Sequence, residues 1–319
     1  MSPLATWLAS PPPDAAIEIA ADRVAAAIVG TRGGSLAVTA YAFEPLPAGL
    51  VTSSLTGTNV HDRPAVARAL RRALDRMAAR VRRVALVIPD TAAKVSLHRF
   101  DHLPVRRDDL EQLVRWQLRK TAPFPVDDAC ITYSPGIAVG TDGRELIVEL
   151  ARRETVREYE TVCEELGLEP GLVETATLAL LGLFTGAEAP AGDWLLVHVR
   201  PDYMSVVILR GEELLFHRSR PEEEGTALND IVHQTAMYYQ DRLEGRGFTR
   251  VLLAGSHGAL SAIEDARRSL EERLDVAVDL VDPTRVAALT DRIGASLELM
   301  DVLGPLVGIQ RRMLAEARA

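Results

Sequence analysis

The amino-acid sequence predicts an α/β fold made of two related halves. The stretch "AAIEIAADRVAAAIVG" (15–30) has the pattern of a strand, a tight turn and a second strand. The stretch "LLVHVRPDYMSVVILRGEELLFH" (195–217) repeats it. In each half a third strand follows, and helices then alternate with strands, which indicates a duplicated architecture. A chain of 319 residues is long enough for two domains, and the cleft between them is the expected ligand site.

The first half has a local signal for each element. Strands are predicted near 15–20, 24–30 and 36–44 from their apolar patterns. Asp62 then caps an amphipathic helix whose apolar residues have helical spacing: Val66, Leu70, Leu74, Met77 and Val81. The continuous apolar run "RVALVIP" that follows is typical of a strand covered on both faces.

Residues 89–167 are predicted to form an inserted α+β unit. Its elements are a strand "KVSLHRF", a helix from 108 to 120, strands around Ile131 and Leu146, and a helix from 154 to 166. Asp108 and Glu111 have the spacing of a capping box, and Gly167 stands where a helix would stop. A strand and a short apolar helix in "GLVETATLALLGLF" lead to the linker "TGAEAPAGD".

The second half repeats the order of the first. Predicted strands cover 194–200, 204–210, 213–219, "RVLLAGS" and "VAVDLVD", and predicted helices cover about 226–244, 259–273 and 295–314. The last helix is expected to pack against the second core. The first 14 residues, with three consecutive prolines, are predicted to be a flexible N-terminus.

Composition excludes several classes of protein. A net charge of -9 argues against nucleic-acid binding, which concentrates positive charge. Cys130 and Cys163 have neither disulfide-framework nor zinc-ligand spacing, so a reducing cytoplasm is expected. His98 and His102 lack a third ligand nearby, and no metal site is predicted. No apolar run is long enough to span a membrane, and the N-terminus does not resemble a signal peptide.

Several ordered stretches resemble the PilM family of type IV pilus assembly proteins, within the actin-like ATPase superfamily. The most specific is "LVRWQLRKTAPFPVDD" (113–128); others are "AYAFEPLPAGLV", "SVVILRGEELLFHRS", "RVLLAGSHGAL" and "LGPLVGIQRRM". The resemblance implies a first RNase H-like core of 15–88 plus 168–187 and a second core of 193–319. The insert at 89–167 corresponds to the subdomain that this family shares with the cell-division protein FtsA. A helical subdomain of the second half is reduced or missing here.

In active members of that superfamily both hairpin turns bind phosphate, pairing an Asp that handles hydrated Mg²⁺ with a Gly. Here the first turn carries Glu18, Ala20 and Asp22, and the second carries His198, Arg200 and Asp202. Imidazole cannot replace a hard oxygen ligand of Mg²⁺, and Pro201 removes an amide donor. The adenosine-side turn keeps Gly255 and Gly258, although two glycines are a weak signal.

The altered turns predict a pseudo-ATPase with no catalytic residue and no ATP or Mg²⁺ cofactor, although weak nucleotide binding stays open. The resemblance implies a scaffold, cytoplasmic and peripheral to the inner membrane, that binds the N-terminal cytoplasmic tail of a PilN-like single-span protein. The tail would lie in a groove between the first core and the insert, for which Arg115, Trp116 and Phe124 are the candidate contacts. Packing of the two aromatics within the insert is the alternative.

Two other functions stay open. One is a nucleotide-responsive actin-like ATPase, and the other is a cytoplasmic docking module of a type II secretion platform. The pilus assembly ATPase and a second copy of the chain are further candidate partners.

Overall fold

The computed structural model describes residues 12–222, 228–255, 260–289 and 296–317. The predicted N-terminal segment lies outside these residues up to position 11, and so does Gly258. The strands are β1 (Ala15–Ile19), β2 (Arg23–Arg32), β3 (Ser35–Pro45), β4 (Arg83–Ile88), β5 (Ala93–Phe100), β6 (Ala129–Val139), β7 (Gly143–Arg152), β8 (Glu169–Thr175), β9 (Asp193–Val199), β10 (Tyr203–Arg210), β11 (Glu213–Pro221), β12 (Arg250–Ala254), β13 (Val278–Leu280) and β14 (Ala288–Leu289). The helices are α1 (Arg63–Met77), α2 (Arg107–Leu118), α3 (Arg153–Glu164), α4 (Ala176–Leu181), α5 (Leu228–Arg242), α6 (Leu260–Leu274) and α7 (Leu297–Glu316).

Two sheets carry the duplication that the sequence predicts. The first has the order β14-β3-β2-β1-β4-β8 and the second β11-β10-β9-β12-β13. In each sheet an antiparallel triplet, β1-β2-β3 or β9-β10-β11, continues into parallel strands on the other side of its first strand. The actin-like α/β architecture expected from the sequence is therefore confirmed.

Apolar side chains cover both faces of each core sheet. One cluster lies between the two sheets and joins residues of both halves, such as Ala27 and Leu196. A second packs α1 and α3 onto the first sheet, and a third packs α5 and α6 onto the second. Helix α1 begins as predicted, because the Asp62 carboxylate accepts a hydrogen bond from the backbone amide of Ala65 at 2.9 Å.

The insert is a three-stranded sheet, β5-β7-β6, with α2 packed against it. The predicted capping box at its helix is wrong. Helix α2 starts at Arg107, so Asp108 lies inside the first turn, and no side chain caps the helix. Helix α3 also packs on the first core, since its residues Tyr159, Val162 and Cys163 lie in the same apolar cluster as Ile17 of the first sheet.

The last helix does not pack against the second core alone. Val302, Leu306 and Ile309 of α7 lie in the cluster between the two sheets, and β14 pairs in parallel with β3 of the first sheet. Glycines allow α7 to approach α4: a Cβ on Gly182 would lie 2.1 Å from the Gly308 carbonyl oxygen. The C-terminal segment thus joins the two cores.

The helical subdomain of the second half is missing. Only residues 222–227 separate the end of β11 from the start of α5, which is too few for a subdomain. Among the described residues, none of the helices is long and apolar enough to cross a lipid bilayer. Cys130 and Cys163 are both free thiols, in agreement with their sequence context.

Candidate functional site: the cleft between the two hairpin turns

The two hairpin turns have matching backbone geometry. In the first, the Ala20 amide donates to the Arg23 carbonyl at 2.9 Å; in the second, the Arg200 amide donates to the Tyr203 carbonyl at the same distance. The residue after the third strand of each half also bonds to the turn. The Leu46 amide donates to the Asp22 carbonyl, and the Glu222 amide donates to the Asp202 carbonyl. The two turns therefore share one backbone geometry and differ in their side chains.

Two arginines and two carboxylates fill the space between these turns. Glu18 is the last residue but one of β1, Arg23 begins β2, Arg200 follows β9 and Asp301 lies on α7. Each is buried, Arg200 to 1% exposure. Arg23 is 3.1 Å from Glu18 Oε2 and 2.7 Å from Asp301 Oδ2. Arg200 is 3.3 Å from both Glu18 Oε1 and Asp301 Oδ1. We call these four residues the ionic cluster.

The ionic cluster crosses between the halves. Arg200 belongs to the second half and Glu18 to the first, so this contact spans the cleft. Asp22 adds a partly exposed carboxylate 3.7 Å from each guanidinium. Arg23 Nη2, Arg200 Nε and Arg200 Nη2 make no hydrogen bond with good geometry, which makes the contacts more ionic than directional. The four charges cancel, which lowers the cost of burying them.

The cluster changes the acidity of its members. Burial alone would raise the pKa of Asp301, but the guanidinium groups of Arg200 and Arg23 outweigh burial and lower it to about 2. Burial alone would lower the pKa of Arg200, yet Glu18 and Asp301 raise it well above its ordinary value. Asp301 and Arg200 are thus held in their charged forms.

A second buried network surrounds His198. The Asp90 carboxylate, which follows β4, accepts a bond from the Thr177 amide at 2.9 Å and short bonds from the hydroxyls of Thr177 and Ser205. His198 Nδ1 lies 2.8 Å from the Thr177 hydroxyl. Because that hydroxyl donates its proton to Asp90, we assign the imidazole proton to Nδ1, where it is the donor. Burial and then the charge of Arg200 lower the pKa of His198 to about 4, so the ring is neutral.

The remaining predicted nucleotide residues have structural contacts. Asp202 accepts a hydrogen bond from the Ser53 hydroxyl at 2.6 Å, and Ala20 is buried. Gly255 has a φ of 101°, and a Cβ there would lie 1.8 Å from the Val199 carbonyl oxygen. Backbone packing against β9 therefore requires this glycine, with or without a nucleotide.

The donor set of the cleft does not fit a hydrated Mg²⁺ with phosphates. A magnesium ion needs carboxylate or water oxygens, and Glu18, Asp22 and Asp301 each face at least one guanidinium within 3.7 Å. Arg200 places its side chain in the space between the turns, where bare backbone would have to approach the phosphates. We derive no chemical step through this cleft.

Sequence reasoning identified Glu18 and Arg200 but missed their partners, Arg23 and Asp301. Asp301 had one detectable signal, because it is one of only two carboxylates, with Glu298, in the mainly apolar stretch "LELMDVLGPLVG" of the last helix. Arg23 had no detectable signal, because an arginine at the start of a strand is usually exposed and gives no indication of burial.

A groove of about 300 Å³ separates the first core from the insert; we call it the acidic groove. One wall is β8, the last strand of its sheet, through consecutive residues 170–174. The facing wall is one face of the insert sheet together with α3, and it includes the following residues: Ala93, Cys130, Thr132, Glu149, Ala151, Val156 and Glu160. Burial, and then the charge of Glu174, raise the pKa of Glu149 to about 7.

The three predicted partner contacts lie elsewhere on the insert. Arg115 bonds to Glu111 of its own helix and to the Val126 carbonyl, and Phe124 packs against the insert core. Trp116 is 54% exposed, with Lys120 Nζ 4.2 Å from its ring centroid. None of the three lines the acidic groove, and their contact with a partner stays a prediction.

These features together define a protein of the actin-like ATPase fold whose two phosphate turns are bridged by its own charged side chains. A model of the family "Type IV pilus assembly protein PilM" matches residues 16–241. The chain belongs to this family. Comparison with curated proteins finds no significant match.

Solved structures share the fold. The PilM-PilN type IV pilus biogenesis complex matches with a TM-score of 0.78 at 19% identity, covering 95% of this chain and 98% of that chain. The ethanolamine utilization protein EutJ of Carboxydothermus hydrogenoformans has a TM-score of 0.51 at 11% identity, with coverages of 95% and 90%. A Bacteroides thetaiotaomicron protein with an actin-like ATPase fold has a TM-score of 0.50 at 12% identity, with coverages of 86% and 91%.

Proposed function

We propose that this protein is a cytoplasmic scaffold of the type IV pilus assembly platform at the inner membrane. It holds the N-terminal cytoplasmic tail of a PilN-like single-span membrane protein, and it does so without hydrolysing ATP. The observation that carries the proposal is the acidic groove between the first core and the insert. Membership of the PilM family, and a solved complex of that fold with PilN, support this partner.

The groove has the features of a site for an extended peptide. Strand β8 is at the edge of its sheet and lines the groove with consecutive residues, so its free backbone groups can pair with an added strand. Leu172 and Val156 offer apolar contacts to side chains of that peptide. Backbone pairing would supply affinity, and these contacts would supply specificity.

The charge of the groove matches the expected chemistry of a membrane protein's cytoplasmic tail. Cytoplasmic segments next to a membrane span carry an excess of Lys and Arg. Glu149, Glu160 and Glu174 line the groove, and burial raises the pKa of each. A cation entering the groove would favour the ionised form of Glu149, so part of the binding energy would be electrostatic.

The cleft supports the absence of hydrolysis. The ionic cluster occupies the space between the phosphate turns, and a neutral His198 stands where an active relative has an acidic residue. A scaffold that binds its partner in a different groove has no need of nucleotide turnover.

A groove-filling substitution tests the proposal. Thr132 is exposed on β6 and lines the groove, so Thr132→Trp should fill the site without disturbing a core. We expect it to weaken binding of the tail peptide about tenfold or more, measured by fluorescence anisotropy. Thr141→Trp, at the exposed tip of the β6-β7 hairpin, is the matched control and should bind as the wild type does.

Glu149→Gln provides a second variant, which keeps the shape of the side chain and removes its charge. We expect a smaller loss of affinity, about threefold to tenfold, that disappears at high salt. If the Thr132→Trp variant bound the tail peptide with wild-type affinity, the tail would bind elsewhere and the proposal would be contradicted.

A further inference from the structure

A second groove lies between the insert and the second core. Its volume is about 530 Å³, within the roughly 300–1,000 Å³ typical of ligand sites. Strand β5 lines it with residues 93–95, β11 with residues 217–221, and the loop 53–56 closes one side. We call it the basic groove.

The charged side chains that line this groove, among the described residues, are positive. They are Lys94, Arg218 and Arg220. Within the described part of the chain, neither arginine forms an ion pair; Arg218 has only a ring contact, with its Cζ 6.0 Å from the centre of Phe216. Lys94 donates a single hydrogen bond, to the Thr121 carbonyl at 3.0 Å, and keeps two donors free. These cations are available to an anionic ligand.

His217 is a second sign of an unfilled site. It lines the same groove, and its Nε2 is buried without a hydrogen-bond partner among the described residues. A buried polar atom of this kind usually has a hydrogen-bond partner, in a protein chain or in ordered water.

Two strand edges border the groove. Strand β5 is at the edge of the insert sheet and β11 at the edge of the second sheet, and each lines the groove with consecutive residues. An edge strand presents alternating backbone donors and acceptors that an extended chain can match.

We propose that the basic groove binds an extended acidic segment of a partner protein, with its backbone paired to the β11 edge and its carboxylates on Arg218, Arg220 and Lys94. The net charge of -9 repels such a segment from the rest of the surface, so this concentrated positive charge selects it. The site adjoins the acidic groove, with which it shares Ala93, and takes the opposite charge.

A peptide fits this groove better than a small phosphate compound. Three of the hydroxyls that line it are engaged internally: Thr91 donates to Ser53, and Ser53 donates to Asp202 at 2.6 Å. Ser219 shares a 2.7 Å bond with Ser205. The free groups are therefore the long cationic side chains and the strand edges, which suit carboxylates spaced along an extended backbone.

The test uses the full-length protein and a rhodamine-labelled hexapeptide that alternates glutamate and valine. Saturable binding is expected in low salt by fluorescence anisotropy. The double variant Arg218→Glu/Arg220→Glu should weaken it by about tenfold or more, whereas the control Arg68→Glu/Arg71→Glu, with the same charge change on exposed positions of α1, should weaken it by less than about threefold. Unchanged binding of the PilN-like tail and an unchanged unfolding midpoint would show that the double variant is folded.

A second probe separates strand pairing from simple charge attraction. A hexapeptide of the same sequence with alternate backbone amides methylated keeps its charge but loses half of its donors. Weaker binding of this probe, by about tenfold, supports pairing with the strand edge. Three results would each overturn the proposal. The two probes could bind equally well, or inorganic tripolyphosphate could displace both at a lower concentration than unlabelled peptide does. The third is the absence of saturable binding up to about 1 mM.

Discussion

At the residue scale, the side chain of Arg200 has the largest consequence. It is an arginine at the position where the equivalent first turn has Ala20, and it reaches across the cleft to Glu18 and Asp301. A phosphate turn needs free amides and an accessible acid, and this one guanidinium blocks both requirements. Arg23 supplies the second positive charge of the ionic cluster through its ion pairs with Glu18 and Asp301.

Removing Arg200 should destabilise the protein strongly. Arg200→Met leaves Glu18 and Asp301 buried with one arginine between them, and we expect a loss of about 3–5 kcal/mol in the free energy of unfolding, measured by urea denaturation. Adding Glu18→Gln to this variant should recover part of the loss, since the charges again cancel.

The control for this variant is Arg210→Met, which removes a surface pair with Asp193 in the same half. Arg210 is about half exposed, so a loss below about 1 kcal/mol is expected. If Arg200→Met cost no more than Arg210→Met, the ionic cluster would not hold the halves together.

The buried His198 predicts a defined pH dependence. The pKa of His198 is lowered from 6.5 to about 4 in the folded protein, so the unfolded chain takes up a proton at this residue between these values and the native state does not. This contribution to stability is complete above pH 6.5 and is lost as the pH falls towards 4. The loss amounts to about 3 kcal/mol.

Urea denaturation at pH 7 and pH 4.5 measures this effect. His198→Gln should show a smaller loss of stability between the two pH values than the wild type, whereas His61→Gln, at an exposed position, should match the wild type. An equal loss in His198→Gln and the wild type would contradict the assignment.

The sequence predicted where the residues of the two turns lie along the chain, but not which side chains they contact. The pattern of two hairpins correctly predicted that Glu18 lies near the end of β1 and His198 near the end of β9. Asp301 could not be paired with Arg23, because 278 residues separate them and no local pattern encodes such a contact. The cluster is a property of the assembled halves.

At the element scale, α7 is the connection between the cores. It lies between the two sheets, contributes Asp301 to the ionic cluster, and donates from Gln310 to the backbone of β2 at 3.0 Å. Its apolar sequence predicted a packed helix, but an apolar stripe does not say which sheet will cover it. The capping-box prediction for α2 failed because the spacing of Asp108 and Glu111 also occurs inside a helix.

The close approach of α4 and α7 gives a test at this scale. A Cβ on Gly308 would lie 2.2 Å from the Ala179 carbonyl oxygen, so Gly308→Ala must push the helices apart. We expect a loss of about 2–3 kcal/mol in unfolding free energy by urea denaturation, despite the better helix propensity of Ala.

Gly171→Ala is the matched control, because nothing lies within 4 Å of its added Cβ. We expect this change to be within about 1 kcal/mol of the wild type. A stable Gly308→Ala variant would mean that α4 and α7 are not closely packed.

At the scale of the whole molecule, charged side chains bridge the two hairpin turns, and two grooves lie beside the insert. The acidic groove lies against the first core and the basic groove against the second. The duplicated fold was predictable because its strand pattern repeats along the chain. The family resemblance also implied a groove between the first core and the insert, but neither its lining nor the basic groove was predicted, since both depend on strand edges from distant segments.

The central claim is that partner binding at the acidic groove is independent of nucleotide. The direct measurement is isothermal titration calorimetry of the PilN-like tail peptide into the full-length protein, without nucleotide and with about 1 mM ATP and Mg²⁺. The account predicts equal dissociation constants within about twofold, because a ligand that does not bind cannot couple to the tail site. A change of tenfold or more on adding ATP and Mg²⁺ would contradict it.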